Sequence, residues 1–314
     1  MKVNHWILKA VVALGAFLAG TSSASAEVQP EAVPLWGWLP DFPRDVSVDG
    51  WRIDWLIDVT MVFVVVLFVI MCVWMFWACF FHNEDHEADY DHGSSQHSVI
   101  TALVISSVVF LIMDGTLLVN SIVDLDQAFW NFDLAENLED ENGREGKGDP
   151  RPECGAEGSP TDGTCAVRLE VNARQWAWQA RYAGLDGEFN TPDDVEVLND
   201  IVVPAGSPVI VQLAATDVIH AFYLPNLRAK MDAVPGMINR LWFRSKDDAR
   251  GDFDLGCAQH CGTHHYKMKG KLTIVSQEDF SAWLGEASQT AARAFDINDV
   301  NNHWGWSWAR GGNG

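Results

Sequence analysis

The sequence predicts a membrane hairpin of two transmembrane α-helices followed by an all-β domain. Two observations carry that expectation. Residues 56–81 and 98–123 are apolar runs, each long enough for a hydrocarbon core that needs about 20 residues. After Ala166 the pattern turns to short strands: Val167, Leu169 and Val171 alternate with polar residues, and Gly and Pro punctuate the runs that follow.

In chain order, residues 1–26 read as a cleaved secretory signal. Lys2 and Lys9 bracket the start, Ala10–Ala19 is apolar but short for a span, and Ala24-Ser-Ala26 is a small-residue cleavage site. Residues 27–55, with Pro30, Pro34, Pro40 and Pro43, form an extended leader. Trp51 and Trp55 at one end of the first span, with Trp74 and Trp77 toward the other, suit interfacial belts.

The connecting loop, 82–97, has no Lys or Arg but carries Glu84, Asp85, Glu87, Asp89 and Asp91. Orientation therefore rests on the signal, which puts this loop inside and everything after 124 outside, and not on the positive-inside rule. Residues 124–165 form an acidic, Gly-rich linker or insertion. Residues 166–283 are the β domain, in which Ile201–Val203 and Val209–Leu213 flank a turn and Met237–Arg244 and Lys271–Val275 follow. A short closing helix covers 279–295. The tail, 284–314, ends in the Trp-rich stretch His303-Trp-Gly-Trp-Ser-Trp308.

The formal charge of −22, from 43 acidic and 21 basic residues, argues against a nucleic-acid partner, whose phosphates need a basic footprint. It suits a basic protein partner. The six cysteines divide by context. Cys72 and Cys79 sit in an apolar span and read as packing residues. Cys154 and Cys165 flank a short polar loop where an oxidising compartment favours a disulfide. Asp186-Gly-Glu-Phe-Asn-Thr-Pro-Asp-Asp194 hints at calcium but lacks the glycine and terminal glutamate of the EF-hand loop, and reads as a solvated hairpin turn.

Cys257 and Cys261 open the run Cys257-Ala-Gln-His-Cys261-Gly-Thr-His-His265-Tyr-Lys-Met268, which holds two thiols, imidazoles and a thioether. Upstream, His220 lies in Asp217-Val-Ile-His-Ala-Phe-Tyr-Leu-Pro225. Thiolate and thioether beside imidazole select copper, and two bridging thiolates can hold two copper ions as one delocalised pair. Tetrahedral zinc on two Cys and two His is the chemical rival, poorly matched by an added Met on a β scaffold.

These stretches, with Arg174-Gln-Trp-Ala-Trp178 and Lys230-Met-Asp-Ala-Val-Pro-Gly236 in the same order, resemble subunit II of the haem–copper cytochrome c oxidases. The resemblance is close over residues 167–283 and loose over the hairpin. It implies a cupredoxin-like Greek-key barrel in the periplasm of a bacterial inner membrane, carrying the binuclear CuA centre. Cys257 and Cys261 would bridge two coppers, completed by His220, His265, Met268 and the backbone carbonyl of Gln259. His260 and His264 fall at positions outside the family pattern.

By the same resemblance Trp176 is the electron entry point from cytochrome c, with Asp217 among the docking carboxylates. Haem in the large subunit I is the electron acceptor, and oxygen reduction to water belongs to the complex with the other oxidase subunits. Gln259 stands where many relatives carry Glu, which weakens the expectation of magnesium at the subunit boundary. Ser98 and Thr101 replace the Glu and Trp that open the second span of relatives, so a proton-uptake role does not carry over; His97 is the nearby substitute. Asp114, costly in lipid, is expected to face protein or water at the large subunit. The chain lacks a Cys-x-x-Cys-His haem signature. A copper-delivery protein and the copper module of another reductase are the alternative readings.

Overall fold

The computed structural model describes residues 43–82, 84, 86, 87, 92, 93, 95–132, 135 and 166–295. The expected signal, most of the leader and linker, Cys154, Cys165 and the Trp-rich tail lie outside the described residues. The chain forms two compact units, one from Asp54 to Val123 and the other from the segment ending at Ile53 together with the residues from Asp124 onward.

Helix α1 is Gly50–Phe81, 32 residues, about 48 Å at ~1.5 Å per residue against a hydrocarbon core of about 30 Å. It starts earlier than the expected residue 56 because hydropathy marks only the apolar stretch, whereas Arg52 and Asp54 complete its polar first turns. Helix α2 is Gln96–Asp124. It begins where the Ser95 hydroxyl accepts the Ser98 amide at 3.2 Å and widens into a π-type turn at Phe110–Asp114.

Both helices are long and apolar enough to cross a membrane. Their polar side chains turn back on the helix: Thr60 donates to the Leu56 carbonyl at 2.7 Å, and Thr116 to that of Ile112 at 2.6 Å. Asp114 is exposed on this chain.

The β domain has two five-stranded sheets. Its strands are β1 (Val167–Arg174), β2 (Ala177–Tyr182), β3 (Val195–Leu198), β4 (Asp200–Pro204), β5 (Pro208–Ala215), β6 (His220–Leu224), β7 (Ala229–Ala233), β8 (Asn239–Arg244), β9 (Gly251–Cys257) and β10 (Lys269–Val275). One sheet is ordered β3-β2-β1-β5-β8 and the other β4-β10-β9-β6-β7. The pairs β1–β5 and β4–β10 are parallel, so the chain crosses between sheets in the cupredoxin-like manner.

Leu169, Val171, Val203, Val211, Leu213, Phe222, Leu255 and Leu272 fill the space between the sheets, each at most 1% exposed. Tyr182 stitches the sheets together: its hydroxyl donates to the Val202 carbonyl at 2.9 Å and accepts the Val202 amide at 2.8 Å. Helix α3 (Gln277–Ala294) closes the domain, burying Phe280, Leu284 and Ser288 on one face. It begins two residues before the expected 279 because the Ser276 hydroxyl caps the Asp279 amide. A domain limit at 283 therefore falls inside this helix.

Alternation along β1 breaks at Glu170. It sits directly across from Arg181 on β2, and both side chains are fully buried. Glu170 Oε2 accepts from Arg181 Nε at 2.8 Å and from Nη2. Arg181 reaches onward to Asp194 at 3.4 Å and Asn190 at 3.2 Å, tying the 184–194 segment to the sheet. That segment folds as a turn on its own carboxylates, with Asp193 accepting the Leu185 amide and Asp194 the Asn190 amide.

Breaking a buried pair strands a charge, whereas replacing both partners with apolar residues does not. Arg181→Met alone is expected to cost about 3–5 kcal/mol in denaturant unfolding, and Glu170→Leu combined with Arg181→Met to recover most of that loss. Burial holds the Asp194 carboxyl up at about 6 from an ordinary 3.8, against the Asn190 amide and the Arg181 guanidinium, which lower it. The native state thus binds this proton more tightly than the unfolded chain. Its stabilising contribution is full below pH 3.8 and is lost as the pH rises through about 6. Asp194→Asn should flatten that part of the curve of Tm against pH.

Candidate metal centre

Strand pairing brings the sulfur-bearing run to His220. Strand β6 pairs with β9 so that Phe222 lies opposite Cys257. The Ala258 amide then donates to the Ala221 carbonyl at 3.0 Å, and the Cys257 amide to the Met268 carbonyl at 3.2 Å. Between them the 258–264 loop and a single 3-10 turn, His265–Lys267, fold the chain back, so that Met268, just before β10, returns to Cys257.

Six expected site residues meet here. Cys257 Sγ lies 3.8 Å from Cys261 Sγ, 4.0 Å from His220 Nδ1 and 3.1 Å from the Gln259 carbonyl. Cys261 Sγ lies 3.6 Å from His265 Nδ1 and 3.7 Å from Met268 Sδ, and His220 Nδ1 is 3.2 Å from that thioether. Ligand atoms of His220, Cys257 and Cys261 all fall within 4.8 Å of one another, which among the described residues is the one such group of three. His220, Cys261 and Met268 are buried and Cys257 and His265 half-buried, so the group is closed on the core side and open toward the surface.

Second contacts fix the first. His220 Nε2 lies 2.8 Å from Asp217 Oδ1, which leaves Nδ1 facing the sulfurs. Trp178, fully buried, stands edge-on to the same imidazole at 6.1 Å between ring centres. Burial, which would raise the Asp217 carboxyl, is outweighed by hydrogen bonds from His220, Gln175 and Val218, and the carboxyl is held below its usual range. Burial, with the neighbouring Cys257 thiol, pushes the Cys261 thiol up to about 11. Two adjacent thiols cannot both become thiolates there without a compensating cation, and soft sulfur beside imidazole is the donor set copper takes.

Trp176 sits at the β1–β2 turn beside this loop, half-buried, with its ring centre 4.4 Å from that of His264. His264 and His260 are exposed, and His260 approaches His265 at 5.5 Å between ring centres. Asp217, expected at a docking face, has both carboxylate oxygens engaged internally, by His220 and by the Gln175 amide at 2.6 Å. The roles of Asp217 and Trp178 as supports of His220, and of Gln175 as a link, are not legible in the sequence apart from the placement of Asp217 three residues before His220.

A two-sheet β domain that gathers thiols, imidazoles and a thioether at one end is a cupredoxin-like domain with a group that could hold a metal ion. The family model for the periplasmic domain of cytochrome c oxidase subunit II matches residues 183–275, which include all six grouped residues but not Trp176. Over that region the chain is similar to the cytochrome c oxidase subunit II family.

The alternative cytochrome c oxidase subunit 2 of Bradyrhizobium diazoefficiens is 37% identical over 157 residues, covering 43% of this chain and 56% of that protein. Cytochrome c oxidase subunit 2 of Alkalihalophilus pseudofirmus is 35% identical over 136 residues, covering 43% and 34%. The chain thus spans about half or less of these relatives. The solved periplasmic domain of subunit II of cytochrome oxidase from Bradyrhizobium japonicum is 28% identical, with 40% of this chain and 96% of that one covered at a TM-score of 0.35.

Support for a metal-ligating His is worth about 10–100-fold in affinity. Asp217→Ala should weaken metal binding by about that factor in chelator competition, with little change in the folding of the β domain.

Proposed function

We propose that this chain is the electron-accepting subunit of a bacterial respiratory cytochrome c oxidase, an oxidoreductase complex. The convergence of Cys257, Cys261, His220, His265, Met268 and the Gln259 carbonyl carries this reading. When bound, a copper pair sharing two thiolates supplies a one-electron centre whose charge change is spread over two ions. The chain's own residues do the rest.

Cys257 and Cys261, which would lose their protons on metal binding, would hold the metal together with His220 and Met268, whose donor atoms approach to 3.2 Å, and with His265 and the Gln259 carbonyl. The paired strands and buried ligands hold these donors fixed, so little rearrangement accompanies a one-electron change. The neutral Gln259 side chain is a poor magnesium ligand, and magnesium is no part of this proposal.

Electrons would enter from a separate cytochrome c at Trp176 and leave to haem in the large subunit, where oxygen is reduced. The excess of carboxylates, 43 against 21 basic residues, supports a basic donor. Exposed apolar residues beside the site, Val218, Ile219 and Tyr266, 38%, 44% and 68% exposed, support a protein partner there. Helices α1 and α2 would anchor the chain in the inner membrane with the β domain in the periplasm, Asp114 meeting the large subunit.

Copper loading of the full chain in detergent, read by electron paramagnetic resonance, tests this. One unpaired electron shared by two copper nuclei is the expected spectrum, lost in Cys257→Ser. A single-copper signal in the wild-type chain, or zinc displacing copper at equal concentration, would overturn it.

A further inference from the structure

Gln175 makes two hydrogen bonds that join three parts of the domain. Its backbone N–H donates to Asp217 Oδ2 at 2.6 Å, and Asp217 Oδ1 holds His220 Nε2 at 2.8 Å. Its side-chain amide donates to the Cys261 carbonyl at 2.8 Å. The next residue in the chain is Trp176. One glutamine therefore connects the indole-bearing turn to the segment before β6 and to the loop carrying the buried thiol.

The loop is shaped to receive it. Gly262 has φ +120, and a Cβ there would stand 2.9 Å from Gln175 Nε2 and 3.4 Å from both Nε1 and Cζ2 of Trp176. The absence of a side chain lets the amide and the indole close on the loop together. Trp176 Nε1 is buried and has no hydrogen-bond partner among the described residues. No hydrogen bond of its own orients the ring, so its placement depends on the neighbouring backbone and on packing.

We propose that Gln175, backed by Asp217, is a positioning residue: a clamp that fixes Trp176 against the Cys261 loop. This rests on the reading of Trp176 as the electron entry point. In that transfer one electron would leave a ferrous haem donor, which would become ferric, and be taken up by the one-electron centre that Cys257 and Cys261 would hold, with no bond formed or broken. Electronic coupling falls steeply across a gap, so a bridge of covalent and hydrogen bonds that holds the gap closed governs the transfer step. Docking of the donor is a separate matter that this clamp does not touch.

The test is Gln175→Met in the full chain, which keeps the length of the side chain and removes the amide donor. In the metal-free protein, hydrogen exchange should become faster at the amides of 262–268 while β1, β5 and β8 remain unchanged. In the copper-loaded protein, the paramagnetic spectrum should stay as in wild type. In stopped-flow reduction by ferrocytochrome c the saturating rate should fall by about tenfold or more, with the half-saturating concentration unchanged.

Unchanged exchange at 262–268 would overturn the clamp. So would a loss confined to half-saturation, which marks a docking role, or a changed copper spectrum, which marks a role in the metal cradle. Gln175→Glu, of the same size but with a carboxylate facing the Cys261 carbonyl, should show the same faster exchange if Met disturbs folding. A wild-type chain that forms no copper pair would sink the functional reading separately, and the exchange measurement would still decide the clamp.

Discussion

The register between β6 and β9 is the constraint on which the candidate metal centre depends. With Phe222 opposite Cys257, the Cys257 thiol comes 4.0 Å from His220 Nδ1 although the two are far apart in the chain. A slip of one residue would turn Cys257 to the opposite face of its strand. The ladder β9–β10, with Lys269 opposite Gly256, then sets where the returning chain delivers Met268. Side-chain chemistry supplies the ligands, but two strand registers decide that they meet.

The two units solve burial in opposite ways. In the β domain Leu169, Val171, Leu213 and Leu255 are shielded completely, the ordinary consequence of excluding apolar surface from water. On α1 and α2 the large apolar residues lie open, Phe68 at 67% and Phe80 at 77%, as suits helices whose outer solvent is hydrocarbon.

Much of this was legible in the sequence because ligand chemistry and hydrophobic period are local signals. The two apolar spans, the strands after Ala166 and the residues of the sulfur-rich run needed only spacing. What escaped was relational. Glu170 in an alternating strand looks like a surface acid until the register sets it opposite Arg181. Asp217 looked like a docking charge because nothing local says that His220 and the Gln175 amide occupy its oxygens. The helix starts moved for a different reason: hydropathy follows lipid depth, whereas Gly50 and Ser276 mark where backbone geometry and capping begin.

Gly262 carries a consequence for how this chain can vary. At φ +120 an L side chain is strained, and its first carbon would meet the Gln175 amide, so two independent penalties fall on every substitution. Its neighbours Thr263 and His264 are exposed and carry neither penalty. In a saturation library, tolerance should therefore stay low at this codon and rise at Thr263 and His264. Sequence drift around the site is channelled past a position that has no side chain to conserve.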